Sequence, residues 1–303
     1  MIIPIFIPHG GCPERCKFCD QKVSGGEVVS NREVAITIEK YLLTRKVDEK
    51  VDCAFYGGTF TALSRELQLK YLDTIKPFLE LGLIENIRIA TRPDSIEKLW
   101  LEKLQQEYGL DTVELGIQSF DEEVLAAAGR SHTHADVLHS TQIIKELNLK
   151  LGMHLILGLP CEKSSEDQNS LGHLLALKPD FARIHPLLVI QNTFFASEYQ
   201  AGNLRVLTLE EAVKRAAFLT HELEENGIQV IRLGLQPNEK LSSDVIAGPN
   251  HPSFGELVRG RIVAMQLKKE GKASSQECEN LPMHQLRLLR AHGNYNLNWM
   301  MQS

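Results

Sequence analysis

Residues 87–117 contain Ile87-Arg-Ile-Ala-Thr91, then Asp94-Ser-Ile-Glu97 leading to Gly109, then Thr112-Val-Glu-Leu-Gly-Ile117, and read as one strand–helix–strand unit. The first and last segments are short, apolar and rich in β-branched residues, as buried strands are. Asp94-Ser-Ile-Glu97 has the spacing of a helix start, and Gly109 supplies the residue on which a helix stops. Strands separated by single helices imply a parallel sheet.

The same alternation extends in both directions. Ile2 to Ile7 is a strand, followed by a glycine-rich loop that carries cysteines. Ser30-Asn-Arg-Glu33 is a capping box for a helix running to about Lys46, Val51 to Tyr56 is the next strand, and a helix lies near 63–79. Beyond Ile117, Ser119-Phe-Asp-Glu122 caps a short helix ending at Gly129, and a second helix runs near 133–147. Strands follow at Leu149 to Leu157, before Gly158-Leu159-Pro160, and at Phe181 to His185. Thr208-Leu-Glu-Glu211 opens a helix closing at Gly227, and Ile228 to Leu233 is one more strand. Six or seven such units without a linker favour one α/β barrel-like or strongly curved sheet. Residues 1–235 form this barrel, and 236–303 form a mostly helical C-terminal extension packed on it. In such a sheet, chemistry sits on the loops that follow the strands.

Composition narrows the function. The 303 residues carry 33 Lys+Arg against 39 Asp+Glu, a formal charge of −6, with 43% hydrophobic and 24% charged residues. These values exclude a disordered or collagen-like chain, and they supply no global field for a polyanion, so nucleic-acid binding has to rest on a local groove. No apolar run reaches the roughly 18 residues of a spanning helix. Met1 to Pro8 lacks the basic start and cleavage site of a signal peptide, which makes the chain cytoplasmic with no membrane partner. Of six cysteines, Cys12, Cys16 and Cys19 crowd one loop while Cys53, Cys161 and Cys278 are scattered, a pattern that marks a metal rather than disulfides.

Cys12-Pro-Glu-Arg-Cys16-Lys-Phe-Cys19 has the spacing C-x3-C-x2-C. Three thiolates suit three irons of a [4Fe–4S] cluster and leave the fourth iron open for chemistry. They equally suit a zinc site completed by His9. Spacing alone leaves both open. The zinc alternative makes the protein a non-catalytic metal-binding module for nucleic acid or protein, and a third reading makes it an electron carrier.

With Phe18 as the aromatic, the loop resembles the C-x3-C-x-aromatic-C signature of the radical S-adenosylmethionine (radical SAM) superfamily. Within it, Tyr56-Gly57-Gly58-Thr59-Phe60, Thr91-Arg92-Pro93-Asp94, Glu114 to Ser119, Gly158-Leu159-Pro160 and Gly248 to Pro252 resemble the radical domain of the elongator catalytic subunit. The resemblance covers about residues 2–260. It implies a partial (β/α)6 barrel, with Cys12, Cys16 and Cys19 as ligands of a [4Fe–4S] cluster whose open iron chelates S-adenosylmethionine. It further implies reductive cleavage to methionine and a 5′-deoxyadenosyl radical that abstracts hydrogen from a substrate, a tRNA base or a small metabolite. The electron donor it implies is a small reductant protein, flavodoxin or ferredoxin.

Around the cofactor the resemblance implies Phe18, Gly57, Gly58, Thr59, Gln118, Arg130, His154 and His185. Gly57 and Gly58 allow close backbone approach, while Gln118 and Arg130 sit where the anaerobic coproporphyrinogen oxidase holds ribose and carboxylate. The chain departs from relatives at Ala90, where many have a carboxylate, and at His154, where the oxidase has an aspartate; His154 is either a ribose contact or a satisfied core histidine. His185 ends a strand at the rim. His132, His134, His251, Arg232 and Gln236 are lower-ranked, and Cys161 is placed on the rim. Between residue 12 and residue 303 the acetyltransferase domain and basic extension of full elongator subunits have no room, so acetyl transfer is not part of the expectation.

Overall fold

A computed structural model of the chain describes residues 1–13, 15–20, 30–46, 48–235, 243–272 and 280–301. Seven strands form one parallel sheet: β1 (Ile2–Phe6), β2 (Asp52–Tyr56), β3 (Asn86–Thr91), β4 (Leu110–Gln118), β5 (Lys150–Leu157), β6 (Phe181–Pro186) and β8 (Gln229–Leu233). They lie side by side in that order and curl into an open half-barrel, as the strand–helix alternation predicts. Two further strands, β7 (Val189–Ile190) and β9 (Val245–Ala247), pair antiparallel as a small ribbon that the sequence pattern did not announce.

The helices between the strands are α1 (Asn31–Leu42), α2 (Arg65–Glu80), α3 (Lys98–Tyr108), α4 (Glu122–Ala127), α5 (His134–Glu146), α6 (Glu166–Leu177), α7 (Phe194–Gln200) and α8 (Leu209–Glu225). Alternation along each strand separates two environments. On β4, Val113, Leu115 and Ile117 are fully buried in the main hydrophobic core, and on β6 so are Ala182 and Ile184. The residues between them, Glu114, Gly116 and Gln118 on β4 and Arg183 and His185 on β6, point to the other face, into the barrel. Adjacent strands bring these positions level: Ala90 opposite Glu114, Gly116 opposite His154, His154 opposite Arg183, and Arg183 opposite Arg232.

Three helix ends differ from the sequence pattern. Asp94 does not open α3; Arg92 Nε and Nη2 donate to its carboxylate at 2.9 and 2.6 Å, leaving a 3-10 turn, and α3 begins at Lys98. The cap of α4 is Asp121, whose carboxylate accepts from the backbone of Glu123 and Val124, while Ser119 Oγ donates to the buried Glu166. Helix α1 stops at Leu42 rather than Lys46. The capping boxes at Ser30 and Thr208 stand as read.

The C-terminal helices α9 (Phe254–Lys269) and α10 (Met283–Met301, broken at 291–294) pack together and against α8. Their anchor is Arg261, fully buried, whose fork donates to Glu210 at 2.6 and 2.8 Å and whose Nε donates to Asn296 at 3.0 Å. A bidentate pair whose guanidinium is fully buried fixes orientation as well as contact. Gly260 permits the close approach, since a Cβ there would lie 2.4 Å from the Asn296 amide nitrogen.

Candidate active site

The cysteine loop is docked by backbone. His9 N donates to Gly57 O at 3.0 Å, Thr59 N to Gly10 O at 2.8 Å, and Lys17 N to Ala128 O at 3.0 Å. A Cβ on Gly58 would lie 2.4 Å from Gly10 O and 2.7 Å from Ile7 O, and one on Gly11 would lie 2.3 Å from Thr59 O. The space Gly58 leaves is therefore filled by the cysteine loop itself, a demand for glycine that the sequence reading had placed on the cofactor. Phe18 packs against the small apolar cluster around Val124, Ala128 and Phe195 and so pins the loop's far end.

All three cysteines open into one cavity of about 650 Å³ within the half-barrel. That volume lies within the range of small-molecule sites. Phe18, Gly57, Gly58 and Thr59 line it beside them, with Cys12 Sγ 3.4 Å from Thr59 Oγ1. Gln118 and Arg130 line it from the ends of β4 and α4. Gln118 holds a left-handed backbone, φ 71°, a strained state for a residue with a side chain. Arg130 is buried rather than a surface cation: Nη1 donates to Cys16 Sγ at 3.3 Å, Nη2 to Gly116 O at 2.6 Å and Nε to His132 Nδ1 at 3.3 Å. His132 is thus a partner of Arg130 and does not reach the cavity; burial and then the Arg130 charge push its pKa down to about 4.

The deeper wall is a polar layer that crosses five strands. Fully buried Glu114 accepts from Tyr56 Oη at 2.8 Å, from Arg88 Nη2 at 3.0 Å and from Arg183 Nη2 at 3.1 Å through one oxygen. Through the other it meets His154 Nε2 at 2.7 Å and Arg183 Nε at 2.9 Å. Burial alone would raise the Glu114 carboxyl, but the His154 hydrogen bond and the Arg183 and Arg88 guanidiniums hold it well below the ordinary carboxylate range. His154 is satisfied by Glu114 and also lines the cavity, which joins the two alternatives read for it. His185 lines the cavity two residues beyond Arg183 along β6; its Nδ1 is buried with no hydrogen-bond partner among the described residues, and burial, then His154, push its pKa down to about 3. Gly152 makes room for the layer, because a Cβ there would lie 2.4 Å from the Phe181 ring.

Arg232 and Ala90 line the cavity too. His251 does not; it accepts from Ser253 N and stacks edge-on against His292. His134 lies against Phe120 and His173 away from the cavity. Cys161 lies in the loop after β5, exposed and not among the residues lining the cavity, and Cys53 is buried in β2 as a core residue whose pKa burial raises. Gln236 and Cys278 lie outside the described residues. Tyr56, Arg88, Glu114 and Arg183 were not read as a site; their signal was a charged or polar residue at an inward position of each strand, visible only once register is known.

Residues 6–169, just over half the chain, match the model of the Radical SAM superfamily, and residues 179–264 match that of the Radical_SAM C-terminal domain. The tRNA uridine(34) acetyltransferase of Methanocaldococcus infernus is 27% identical over 299 residues, covering 85% of this chain and 54% of that protein. The heme chaperone HemW of Bacillus subtilis is 28% identical over 236 residues, 74% of this chain and 60% of that one. Among solved structures, the M. infernus Elp3 with an N-terminal deletion superposes with a TM-score of 0.68 at 22% identity, covering 89% of this chain and 63% of that one. The chain spans about half the length of the acetyltransferase relatives it matches.

Proposed function

The chain belongs to the radical SAM superfamily, whose cofactors are a [4Fe–4S] cluster and S-adenosylmethionine, and on that premise we propose that it is an enzyme abstracting hydrogen from a substrate by reductive cleavage of S-adenosylmethionine. When bound, the reduced cluster supplies one electron to the sulfonium C–S bond, giving methionine and a 5′-deoxyadenosyl radical.

The observation that carries this reading is convergence: three soft thiol donors, a glycine-lined backbone edge, Gln118 and the Arg130 guanidinium open into one cavity. The donor set fits the cluster, and the orphaned Nδ1 of His185 is an unmet polar demand inside the wall. In this reading Cys12, Cys16 and Cys19 hold iron. Arg130, fixed on three sides by Cys16, Gly116 and His132, presents a rigid cation to a carboxylate. Gly57, Gly58 and Thr59 border the amino end, Phe18 shields the cluster, and Gln118, His154 and His185 meet the ribose and adenine. The barrel of residues 1–235 holds this machinery and 236–303 packs on it.

A small reductant protein, flavodoxin or ferredoxin, delivers the electron, and a tRNA base is the first substrate to try, since tRNA is in the name of a relative. Among the described residues no helix is long and apolar enough to cross a membrane. The test is anaerobic reconstitution with iron and sulfide, then dithionite and S-adenosylmethionine. About four irons per chain and 5′-deoxyadenosine that disappears in Cys16→Ala are the expected result. Retained zinc with neither sulfide nor product would instead support the metal-binding module and end the radical reading.

A further inference from the structure

We propose that Glu162 and Arg215, neither of which lines the cavity, are positioning residues: they fix the turn that ends β5 and, through it, the apolar seat of the cysteine loop. The consequence for S-adenosylmethionine rests on the radical reading above.

The turn needs a hold from outside the strand. Gly158 (φ 87°) and Cys161 (φ 68°) are both left-handed, and Pro160 between them brings no N–H. Leu187 N still donates to Leu157 O at 2.8 Å, but the next two amides, Gly158 N and Leu159 N, donate to the Glu162 carboxylate, at 2.8 and 3.0 Å from Oε1. Two successive amides on one carboxylate make a charge-assisted grip on the backbone itself. Only 7% of the Glu162 side chain is exposed, so its charge needs a counter-charge. Arg215 of α8 supplies it, with Nη1 2.7 Å from Glu162 Oε2. Asp167 of α6 accepts from the other edge of the fork, from Nε at 2.9 Å and Nη2 at 2.7 Å. Asp167 thus aims Arg215, Arg215 balances Glu162, and Glu162 holds the turn.

Two side chains beside this grip matter at the site. Ile156 lines the cavity, and Leu159 is buried. Both belong to the small apolar cluster that also takes in Phe18, from the cysteine loop, and Leu187, from the cavity wall. That cluster is separate from the main core of the barrel. Its other contacts with the loop are backbone ones: Lys17 N donates to Ala128 O and Phe195 N to Lys17 O, each at 3.0 Å. The loop's far end therefore rests on α4, on α7 and on the turn after β5, and the turn is fixed by buried charge. Outer groups of this kind set the orientation of the groups that bind directly.

The test compares the wild-type full chain with Arg215→Met, Arg215→Lys and the isosteric Glu162→Gln. Arg261→Met is the control, because it breaks another buried arginine–glutamate pair on the same helix, α8, at Glu210. In the iron-free chain, hydrogen–deuterium exchange is followed in peptides covering residues 9–20. Faster exchange is expected there in Arg215→Met and Glu162→Gln, with the wild-type rate in Arg261→Met. After anaerobic reconstitution, the dissociation constant of S-adenosylmethionine is measured by equilibrium dialysis beside iron per chain. It should rise about tenfold in Arg215→Met, less in Arg215→Lys, which keeps the charge, and not at all in Arg261→Met. Wild-type exchange or wild-type affinity in folded Arg215→Met and Glu162→Gln overturns the proposal. An equal change in Arg261→Met also overturns it, since the effect would then be general destabilisation. Should Arg215→Met fail to fold, Glu162→Gln carries both measurements. If the wild-type protein itself binds no S-adenosylmethionine, the radical reading falls, and the exchange result still decides whether Glu162 and Arg215 hold the loop.

Discussion

The cysteine loop and the Glu114 layer border the same cavity and are held by opposite means. The loop is docked by backbone amides and carbonyls across Gly10, Gly11 and Gly58, where side chains are excluded. The layer is held by side chains alone, one carboxylate gathering two guanidiniums, a phenol and an imidazole from four neighbouring strands. The first arrangement fixes a position and leaves thiols exposed to bind something. The second buries charge, so its stability depends on every partner being present.

That contrast can be broken most severely at Glu114. Glu114→Ala leaves Arg88 and Arg183 facing each other across an emptied site and is expected to cost about 3–5 kcal/mol of unfolding free energy, measured by urea denaturation. A loss below about 1 kcal/mol would mean that the layer is solvated and weak. On the loop side, Gly58→Ala drives a methyl into Gly10 O and Ile7 O, with an expected cost of about 1–3 kcal/mol and a clear fall in iron per chain on reconstitution. Gly172→Ala on α6, where an added Cβ meets nothing within 4 Å, should be neutral or mildly stabilising and is the control.

The smallest effect is a gradual one with pH. His132 and His185 have native pKa values of about 4 and about 3, against about 6.5 when unfolded. Below pH 6.5 the unfolded chain takes up protons that the native state refuses, so stability falls with acid by up to about 1.4 kcal/mol per pH unit for each histidine. Glu114 acts in a different window: its lowered pKa contributes stability that is complete above the ordinary carboxylate value and lost only as pH falls through its native value. Denaturation midpoints between pH 7 and 5 therefore report the histidines, and His132→Asn should flatten the slope. An unchanged slope would mean that His132 is protonated in the native state.

The same contrast explains what was legible in sequence. The loop is local: three cysteines within eight residues and glycines beside them announce both a metal and a tight turn, and the strand–helix alternation predicts the half-barrel around them. The layer is not local. Tyr56, Arg88, Glu114, His154 and Arg183 lie on five strands spread over more than a hundred residues, each a polar side chain next to apolar neighbours along its strand. Their meeting depends on register, which shifts between Ile87 and Arg88 on β3 and between Gly116 and Gln118 on β4. Asp94 misled for a related reason, because a carboxylate three residues before a glutamate resembles a cap until Arg92 claims it. Cys161 does lie in the loop after β5, at φ 68°, but it is exposed and apart from the cavity lining, a distinction sequence alone does not draw.

The order of the sheet bears on how the molecule is assembled. From β1 to β6 each strand lies beside the one synthesised just before it, so every new unit finds its partner already exposed at a single growing edge. Closures of this kind span one or two helices and keep loop entropy small, which favours stepwise addition as the polypeptide leaves the ribosome. Only β8 departs, arriving after the β7 strand and two helices have been laid aside. Its docking sets Arg232 level with Arg183, so this edge of the cavity wall is the last part to be built.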